Sequence, residues 1–596
     1  MLARTDSRAR ALVLLLVVVL VATGIGARLV FWQVLEGPHL AELASRQLAQ
    51  HEELPAERGE ITDVNGELLA TSVELQSVFA TPPTVRDPDA TARAVAEVLD
   101  LSVASVRDRL VSDAAWVWIK RRVSPEVAKE LRELDLRGIG MLPETKRVYP
   151  VDGVAKDTTI AAQLIGFVDM DGRGQYGVEG RENGLLAGAP GRVSAQADVI
   201  GRRIADSATL LTEPVDGADL RLTIDVGVQH LLEQELWATY RKNRAVGATG
   251  LIMDAETGAI LGMASYPSYD ANDFATTDGE RFANPAVARQ FEPGSVMKAF
   301  TVAAALDAGA VTTRDRFEDD NNLRIRGIRI QNADRYDHPY GRGRLTPGEV
   351  LAFSNNVGAA KIGLELGRQD LYQAFLRFGF GSTTGIEVAN EATGKVWNPD
   401  GPNASGDLTA AQTAFGQGLS VTAVQLTAGY ASFANGGTLV TPHLIEGWTD
   451  PDGTFHEAER PPAERIMREE TADTMVDLLV TAIDEGIAKG AQIPGYTVAG
   501  KTGTAQIAGP VEVKGDDGER VTRWQYIDGW VDSSYIGFLP ESDRKLVTLI
   551  LIHRPSVWGR YQMAERPETV YARLMGQVLH YLAIPPDRPL EPVAQP

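Results

Sequence analysis

The sequence predicts a large α+β body, an antiparallel sheet with helices, preceded by a mixed α/β region and one membrane-spanning helix. Three observations carry this prediction. Strand-like segments stand at both ends of residues 215–584 with long helical runs between them, so one antiparallel sheet is completed late in the chain. The first 33 residues are a basic flank followed by an apolar run. Between these parts, short helical and strand patterns alternate with stretches rich in Gly, Asp and Arg. The chain has 596 residues and a formal net charge of −22. A surface that acidic repels phosphate backbones, which argues against nucleic-acid partners. Hydrophobic residues at 44% and charged residues at 23% are the balance of a globular protein. The absence of cysteine removes disulfides, thiolate metal sites and thiol nucleophiles together.

At the N-terminus Arg4, Arg8 and Arg10 precede an uncharged run from Ala11 to Ala27, then Arg28, then Leu29-Val30-Phe31-Trp32. A span needs about 20 apolar residues, reached if Arg28 snorkels and Trp32 sits at the headgroups. The preceding basic residues place a short tail, 1–10, in the cytoplasm and all that follows the 11–33 anchor outside. A cleaved signal peptide is the competing reading, with Ala22-Thr23-Gly24 as the small-residue site. Its apolar core would be about 7–15 residues, shorter than this run. Residues 34 to about 55 read as helical. Arg58 to Asp63 and the segment after Asn65-Gly66 form a hairpin. From 86 to 140 the pattern is helical, with Asp87 and Ser124 as N-caps before Pro. Residues 150–205 read as loops, and Pro585 to Pro596 as a disordered proline-rich tail.

In the α+β body, Leu220 to Ile224 is a strand and Asp225 to Tyr240 a helix. A hairpin turns at Glu256-Thr257-Gly258, and strands return at 496–507, 534–539 and 546–553. Phe291-Glu292-Pro293-Gly294-Ser295 opens a helix that is apolar nearly all round and therefore buried, closing near Gly309. Ser295 and Lys298 are its polar exceptions and share one face. A lysine desolvated there has a lowered pKa and takes a proton from the neighbouring serine. Ser-x-x-Lys alone is unspecific: Ser542 to Lys545 repeats it in a charged turn. Thr346 and Glu349 form a capping box with Pro347 at the first helical position. Ser354-Asn355-Asn356 then turns into a second helix, in a composition common to ordinary turns. Tyr496 to Gln506 is a strand carrying Lys501-Thr502-Gly503-Thr504. Its lysine and hydroxyls suit a carboxylate, Gly503 lets a ligand approach the backbone, and the alternative is an edge strand guarded by a lysine.

Ser295-x-x-Lys298, Ser354-Asn355-Asn356 and Lys501-Thr502-Gly503 follow in order, their first residues 59 and 147 positions apart. Together they resemble the signature of penicillin-binding proteins and β-lactamases. Nearly the whole chain beyond residue 50 resembles a class B penicillin-binding protein. Arg58-Gly59-Glu60, Phe415-Gly416-Gln417-Gly418, Ala434-Asn435-Gly436-Gly437 and Pro442-His443 add to the match. Gln163-Leu164-Ile165-Gly166-Phe167-Val168 is similar to the cell-division branch. Val64 departs from the family, which usually has arginine there, and the stretch between Tyr149-Pro150 and Ala161 is longer.

The resemblance implies a penicillin-binding, β-lactamase-like transpeptidase fold at 215–584 and a pedestal or dimerisation domain at 34–214 that meets partners. It implies Ser295 as nucleophile, Lys298 as base, Ser354 as proton relay and Asn356 holding Lys298 and the substrate amide. Lys501, Thr502 and Thr504 would bind the terminal carboxylate. The backbone N–H groups of Ser295 and Thr504 would form the oxyanion hole. The implied partners are peptidoglycan stem peptides, β-lactam antibiotics, and a glycosyltransferase with other division-complex membrane proteins. No cofactor and no metal is expected, the eight histidines showing no ligand spacing. Four rivals fit less well. A bifunctional enzyme would need an acidic glycosyltransferase site before 215, and a β-lactamase a hydrolytic base. A receptor would need a signalling domain, and an inactive scaffold would have no use for intact motifs. Residues 507–532 are long for a connection; flanking the cleft and a solvated loop remain equal readings.

Overall fold

The computed structural model describes residues 7–40, 49–196, 209–514, 519–556 and 563–589. Residues 515–518 of the long 507–532 connection, residues 1–6 of the basic flank and residues 590–596 of the proline-rich tail lie outside them. The chain divides into two compact units, 1–57 with 188–217, and 58–187 with 218–596.

In the first unit Ser7–Val30 is one α-helix, continued by the wider turn Phe31–Leu35. Arg8 to Leu35 is the one helix among the described residues long and apolar enough to cross a membrane. Its side chains from Leu12 to Val21 are exposed, as a lipid-facing helix requires. The helical reading of 34–55 holds at residues 37–40 and fails from Ala49. Ala49–Leu54 is a strand, paired antiparallel with Gly191–Gln196, which pairs in turn with Thr209–Thr212. Ladder hydrogen bonds override the weak helical propensity of Ala-Gln-His-Glu-Glu-Leu.

The second unit opens with β1 (Ile61–Thr62) and β2 (Leu68–Ala80), antiparallel across the Asn65-Gly66 turn, where Gly66 has φ +89°. α1 (Pro88–Leu99) and α2 (Val103–Leu110) follow, then β3 (Val117–Val123), α3 (Pro125–Glu133) and β4 (Ile139–Val148). Asp87 and Ser124 cap α1 and α3 by accepting from the N–H groups of Ala90 and Val127. The uniformly helical reading of 86–140 missed β3. Its Val-Trp-Ile-Lys-Arg-Arg-Val composition suits a half-buried strand, and β2 pairs with both β3 and β4. β5 (Asp219–Leu222) runs parallel to β1 and joins this sheet.

α4 (Val226–Asn243) leads into β6 (Gly247–Asp254) and β7 (Ile260–Tyr266), a hairpin across the expected turn. The helical layer comes next: α5 (Met297–Asp307), α6 (Pro347–Ala352), α7 (Asn356–Leu366) and α8 (Ala423–Ala434). β8 (Ile445–Thr449) returns to pair with β5, and α9 (Glu469–Asp484) closes the layer. β9 (Ala499–Lys514), β10 (Arg520–Phe538), β11 (Leu546–His553) and α10 (Pro567–Tyr581) end the unit.

The central sheet runs β7-β6-β11-β10-β9, every neighbour antiparallel. Period-two alternation sends its side chains to two cores. Leu251, Met253, Leu549 and Leu551 face the core that holds α5 and α8. Ile252 and Ile550 face the one built by Val228 and Leu232 of α4 with Leu574 and Val578 of α10. Helices on both faces explain why β6 and β11 are apolar runs with no polar side. Each such buried side chain contributes ~1.5–3 kcal/mol of transfer free energy. α5 lies inside the helical layer and β9 at the sheet's edge, and the site forms where they meet.

Candidate active site

Ser295 sits in a 3-10 turn, Gly294–Val296, that feeds α5. Two glycines bring this turn against its neighbours. Gly294 has φ +58°, and a Cβ there would lie 2.9 Å from the Thr504 carbonyl of β9. A Cβ on Gly416 would lie 1.9 Å from the Gly294 oxygen, in an approach sealed by the bond from Gly294 N to Gly416 O. The Phe415-Gly416-Gln417-Gly418 motif thus packs the nucleophile turn onto β9.

Lys298 is 0% exposed. Its Nζ lies 2.9 Å from Ser295 Oγ, 2.5 Å from Ser354 O and 3.2 Å from Ser354 Oγ. Burial first, and the charge of Lys501 second, push its amine well below 10.5, with Asp334 opposing. A neutral amine has two N–H bonds and one lone pair. The two oxygens of Ser354 accept the N–H bonds, which leaves the lone pair for the Ser295 hydroxyl. That arrangement lets Lys298 take the serine proton.

Ser354 joins α6 to α7. The capping box of Thr346 and Glu349 starts α6, and the Asn355 side chain caps α7 by accepting from Gly358 N. Between the two helices Ser354 adopts φ +55°, a left-handed conformation that costs a non-glycine residue about 1–2 kcal/mol. It aims both Ser354 oxygens at Lys298. Lys501, on β9 and 2% exposed, reaches the same hydroxyl from the other side, Nζ to Oγ 3.1 Å. It also donates to Thr502 O at 3.2 Å and Oγ1 at 3.4 Å. Burial lowers its pKa to about 7, against the pull of Glu568.

Asn356 stands elsewhere than expected. Its Nδ2 donates to Gln331 O at 2.9 Å and its backbone N to Asn332 Oδ1 at 2.8 Å. Among the described residues no hydrogen bond joins it to Lys298. The first turn of α7 points the side chain out along the cleft wall, which Asn356 shares with Asn332, Gln417, Thr502, Gly503 and Thr504. The structure therefore brings Ser295, Lys298, Ser354 and Lys501 into one hydrogen-bonded chain and lines the cleft with the other four predicted residues.

Three participants escaped sequence reading. Residues 508–514 pair with 520–526, extending the β9–β10 hairpin into an arm beyond a register shift at Gln506. Tyr526 on this arm donates to both Glu292 oxygens, at 3.2 and 3.0 Å, and Gly418 N donates to the same carboxylate at 3.0 Å. Burial raises the Glu292 carboxyl, opposed by these bonds. Asp319 is the third, far from every motif in sequence and buried behind the Ser354 turn. The charge at Glu292, just before Pro293-Gly294-Ser295, was the only signal available.

Comparisons with known proteins give the family of the chain. The family model described as penicillin binding protein transpeptidase domain matches residues 248–576, and the penicillin-binding protein dimerisation domain matches 53–222. Stage V sporulation protein D of Bacillus subtilis is 34% identical over 579 residues, covering 96% of this chain and 85% of the relative. Peptidoglycan D,D-transpeptidase FtsI of Escherichia coli is 30% identical over 570 residues, covering 94% of this chain and 90% of its own length. The crystal structure of a peptidoglycan synthetase from Bifidobacterium adolescentis is similar at TM-score 0.69 and 25% identity, over 91% of this chain and 98% of that one.

Proposed function

The chain belongs to the class B penicillin-binding protein transpeptidases, and from that premise we propose that it cross-links peptidoglycan stem peptides through an acyl-enzyme on Ser295. Ser295 Oγ attacks the carbonyl between the two terminal D-alanines, and its proton passes to Lys298 Nζ. The backbone N–H groups of Ser295 and Thr504 hold the oxyanion; one such donor is typically worth ~3–4 kcal/mol of barrier. The C–N bond breaks as Ser354 passes its proton to the leaving amine and takes its replacement from Lys298 Nζ, 3.2 Å away, which leaves Lys298 neutral again, and D-alanine departs. An amine of a neighbouring stem peptide then attacks the ester, loses its proton to Lys298, and returns Ser295 as the hydroxyl. Lys501 attracts the terminal carboxylate with Thr502 and Thr504, while Gly503 admits the peptide backbone and Asn356 holds the substrate amide from the cleft wall. A β-lactam opens on Ser295 in the same way, but its leaving amine stays tethered and blocks the acceptor.

One observation carries this reading: the buried Lys298 amine lies 2.9 Å from Ser295 Oγ with its other two neighbours on Ser354. Labelling the detergent-solubilised chain with a fluorescent penicillin tests it. The wild type takes one covalent label and Ser295→Ala takes none; an unlabelled wild type would mark an inactive scaffold.

The N-terminal helix serves as a single anchor in the cytoplasmic membrane, with Arg8 and Arg10 inside and the catalytic domain at 215–584 outside. The region 34–214 is the pedestal and meets the glycosyltransferase and other membrane proteins of the division complex. The resemblance of Gln163 to Val168 to the cell-division branch favours the septal reading. Depletion in cells gives filaments on this reading; rounded cells would assign the chain to elongation.

A further inference from the structure

Asp319 ends a short strand, Phe317–Asp319, and is 1% exposed. A carboxylate this deep needs partners, and among the described residues no cation pairs with it. N–H groups surround it instead. Asn321 N donates to Oδ1 at 3.0 Å and Arg342 N to Oδ2 at 2.9 Å. Asn332 Nδ2 bridges both oxygens at 2.9 and 3.0 Å. Asn355 Nδ2 donates the shortest bond, 2.6 Å to Oδ2.

Two of these donors belong to the Ser354 turn or hold it. Asn355 is 1% exposed and bound at both ends of its amide, since its Oδ1 accepts from Gly358 N at 2.7 Å. Asn332 accepts from the backbone N–H groups of Asn356 and Val357, at 2.8 and 3.1 Å. The residues after Ser354 are thus tied through side chains to one carboxylate, and Ser354 is left with φ +55°. A strained conformation persists only where its surroundings over-determine it, and here Asp319 supplies the constraint. It also explains why the middle of the turn carries an amide although it never reaches the cleft: one end caps a helix and the other needs a donor.

We infer that Asp319 is a positioning residue of the acyl-transfer site, acting through Asn355 to hold Ser354 where its carbonyl and hydroxyl orient the Lys298 amine toward Ser295. The inference rests on the acyl-enzyme reading above. With the turn released, Ser354 relaxes toward ordinary φ values, the N–H bonds of Lys298 lose their fixed acceptors, and water reaches the amine. The charged groups acting on that amine, Lys501 and Asp334, stay in place, so the change in its titration reports the lost burial.

The test measures the acylation rate of the full chain by a fluorescent penicillin across pH, with a thermal melt for each variant. Asp319→Asn acylates about 10- to 100-fold more slowly, and the acid limb of its pH profile moves to higher pH. Asn355→Asp, which keeps the cap but sets two carboxylates face to face, behaves alike and probes the same bond if Asp319→Asn does not fold. The double exchange Asp319→Asn with Asn355→Asp restores the bond in reverse and recovers the rate to within about threefold, the coupling expected of a direct contact. Three results would overturn the inference. One is a folded Asp319→Asn with wild-type rate and pH profile. Another is a rate loss matched by unfolding with the profile unmoved. The third is a folded double exchange as slow as the single variants. Each leaves the wild-type label on Ser295 intact and so is distinct from a failure of the acyl-enzyme reading.

Discussion

Two buried clusters of charge in this chain behave in opposite ways. In the N-terminal part of the second unit the Glu179 side chain is 0% exposed and lies between two guanidiniums, Arg58 at 2.5 Å and Arg147 at 2.7 Å. Arg147 also donates to Gly59 O, and Arg58 to Asn183 Oδ1. Both guanidiniums there meet the one carboxylate. In the cleft, Lys298 and Lys501 share one serine hydroxyl and, among the described residues, no hydrogen-bonded carboxylate. Matched burial makes a joint between strands, whereas unmatched burial leaves amines that bind protons weakly. The first cluster is built to stay put; on the function proposed above, the second exchanges a proton with a substrate.

Substitutions separate the two most sharply. Lys298→Met removes the base and keeps the volume. Acylation by a β-lactam should fall about 10³-fold, while the melting temperature holds or rises because no compensated pair is broken. Glu179→Gln should do the reverse. It strands two buried guanidiniums and costs about 3–5 kcal/mol in denaturant titration, with the folded fraction acylated at the wild-type rate. Equal loss of rate and stability in both variants would erase the distinction.

Acidity gives the next largest effect. The folded state holds the Lys298 and Lys501 protons less tightly than the unfolded chain does. Their contribution to stability is therefore complete above 10.5 and lost as pH falls, through about 7 for Lys501. Lys501→Met should flatten the stability–pH curve between those values, and a curve as steep as wild type would place that lysine in water. Acylation declines on the same acid side as Lys298 becomes protonated. The smallest effect belongs to the arm. Tyr526→Phe removes one hydrogen bond to Glu292, worth ~1 kcal/mol, so acylation should change by no more than about fivefold.

How much of this was legible follows the range of each interaction. The Thr346–Glu349 capping box, the Asn65-Gly66 turn and the apolar helix after Pro293-Gly294 are local signals, and each forms where the sequence places it. The three motif segments were legible because each carries reactive groups in a recognisable helix, turn or strand. Strands at Ala49–Leu54 and Val117–Val123 escaped because distant ladders decide them. The β9–β10 arm was half legible: its length was anomalous, yet pairing from Ala508↔Tyr526 to Lys514↔Arg520 has no local mark. Asp319 lay beyond reach altogether. A single carboxylate whose partners stand 2, 13, 23 and 36 residues away leaves no pattern in sequence. The misplacement of Asn356 has the same origin, since Gln331 and Asn332 claim it across a loop.

The central claim is that a neutral Lys298 activates Ser295. Intact-mass and peptide-mapping spectrometry after brief exposure to a β-lactam, for the wild type and Lys298→Met side by side, tests it most directly. The account expects one adduct per chain, on the peptide holding Ser295, formed readily by the wild type and about 10³-fold more slowly by the variant. An adduct on any other residue, or equal rates in the two proteins, would contradict it.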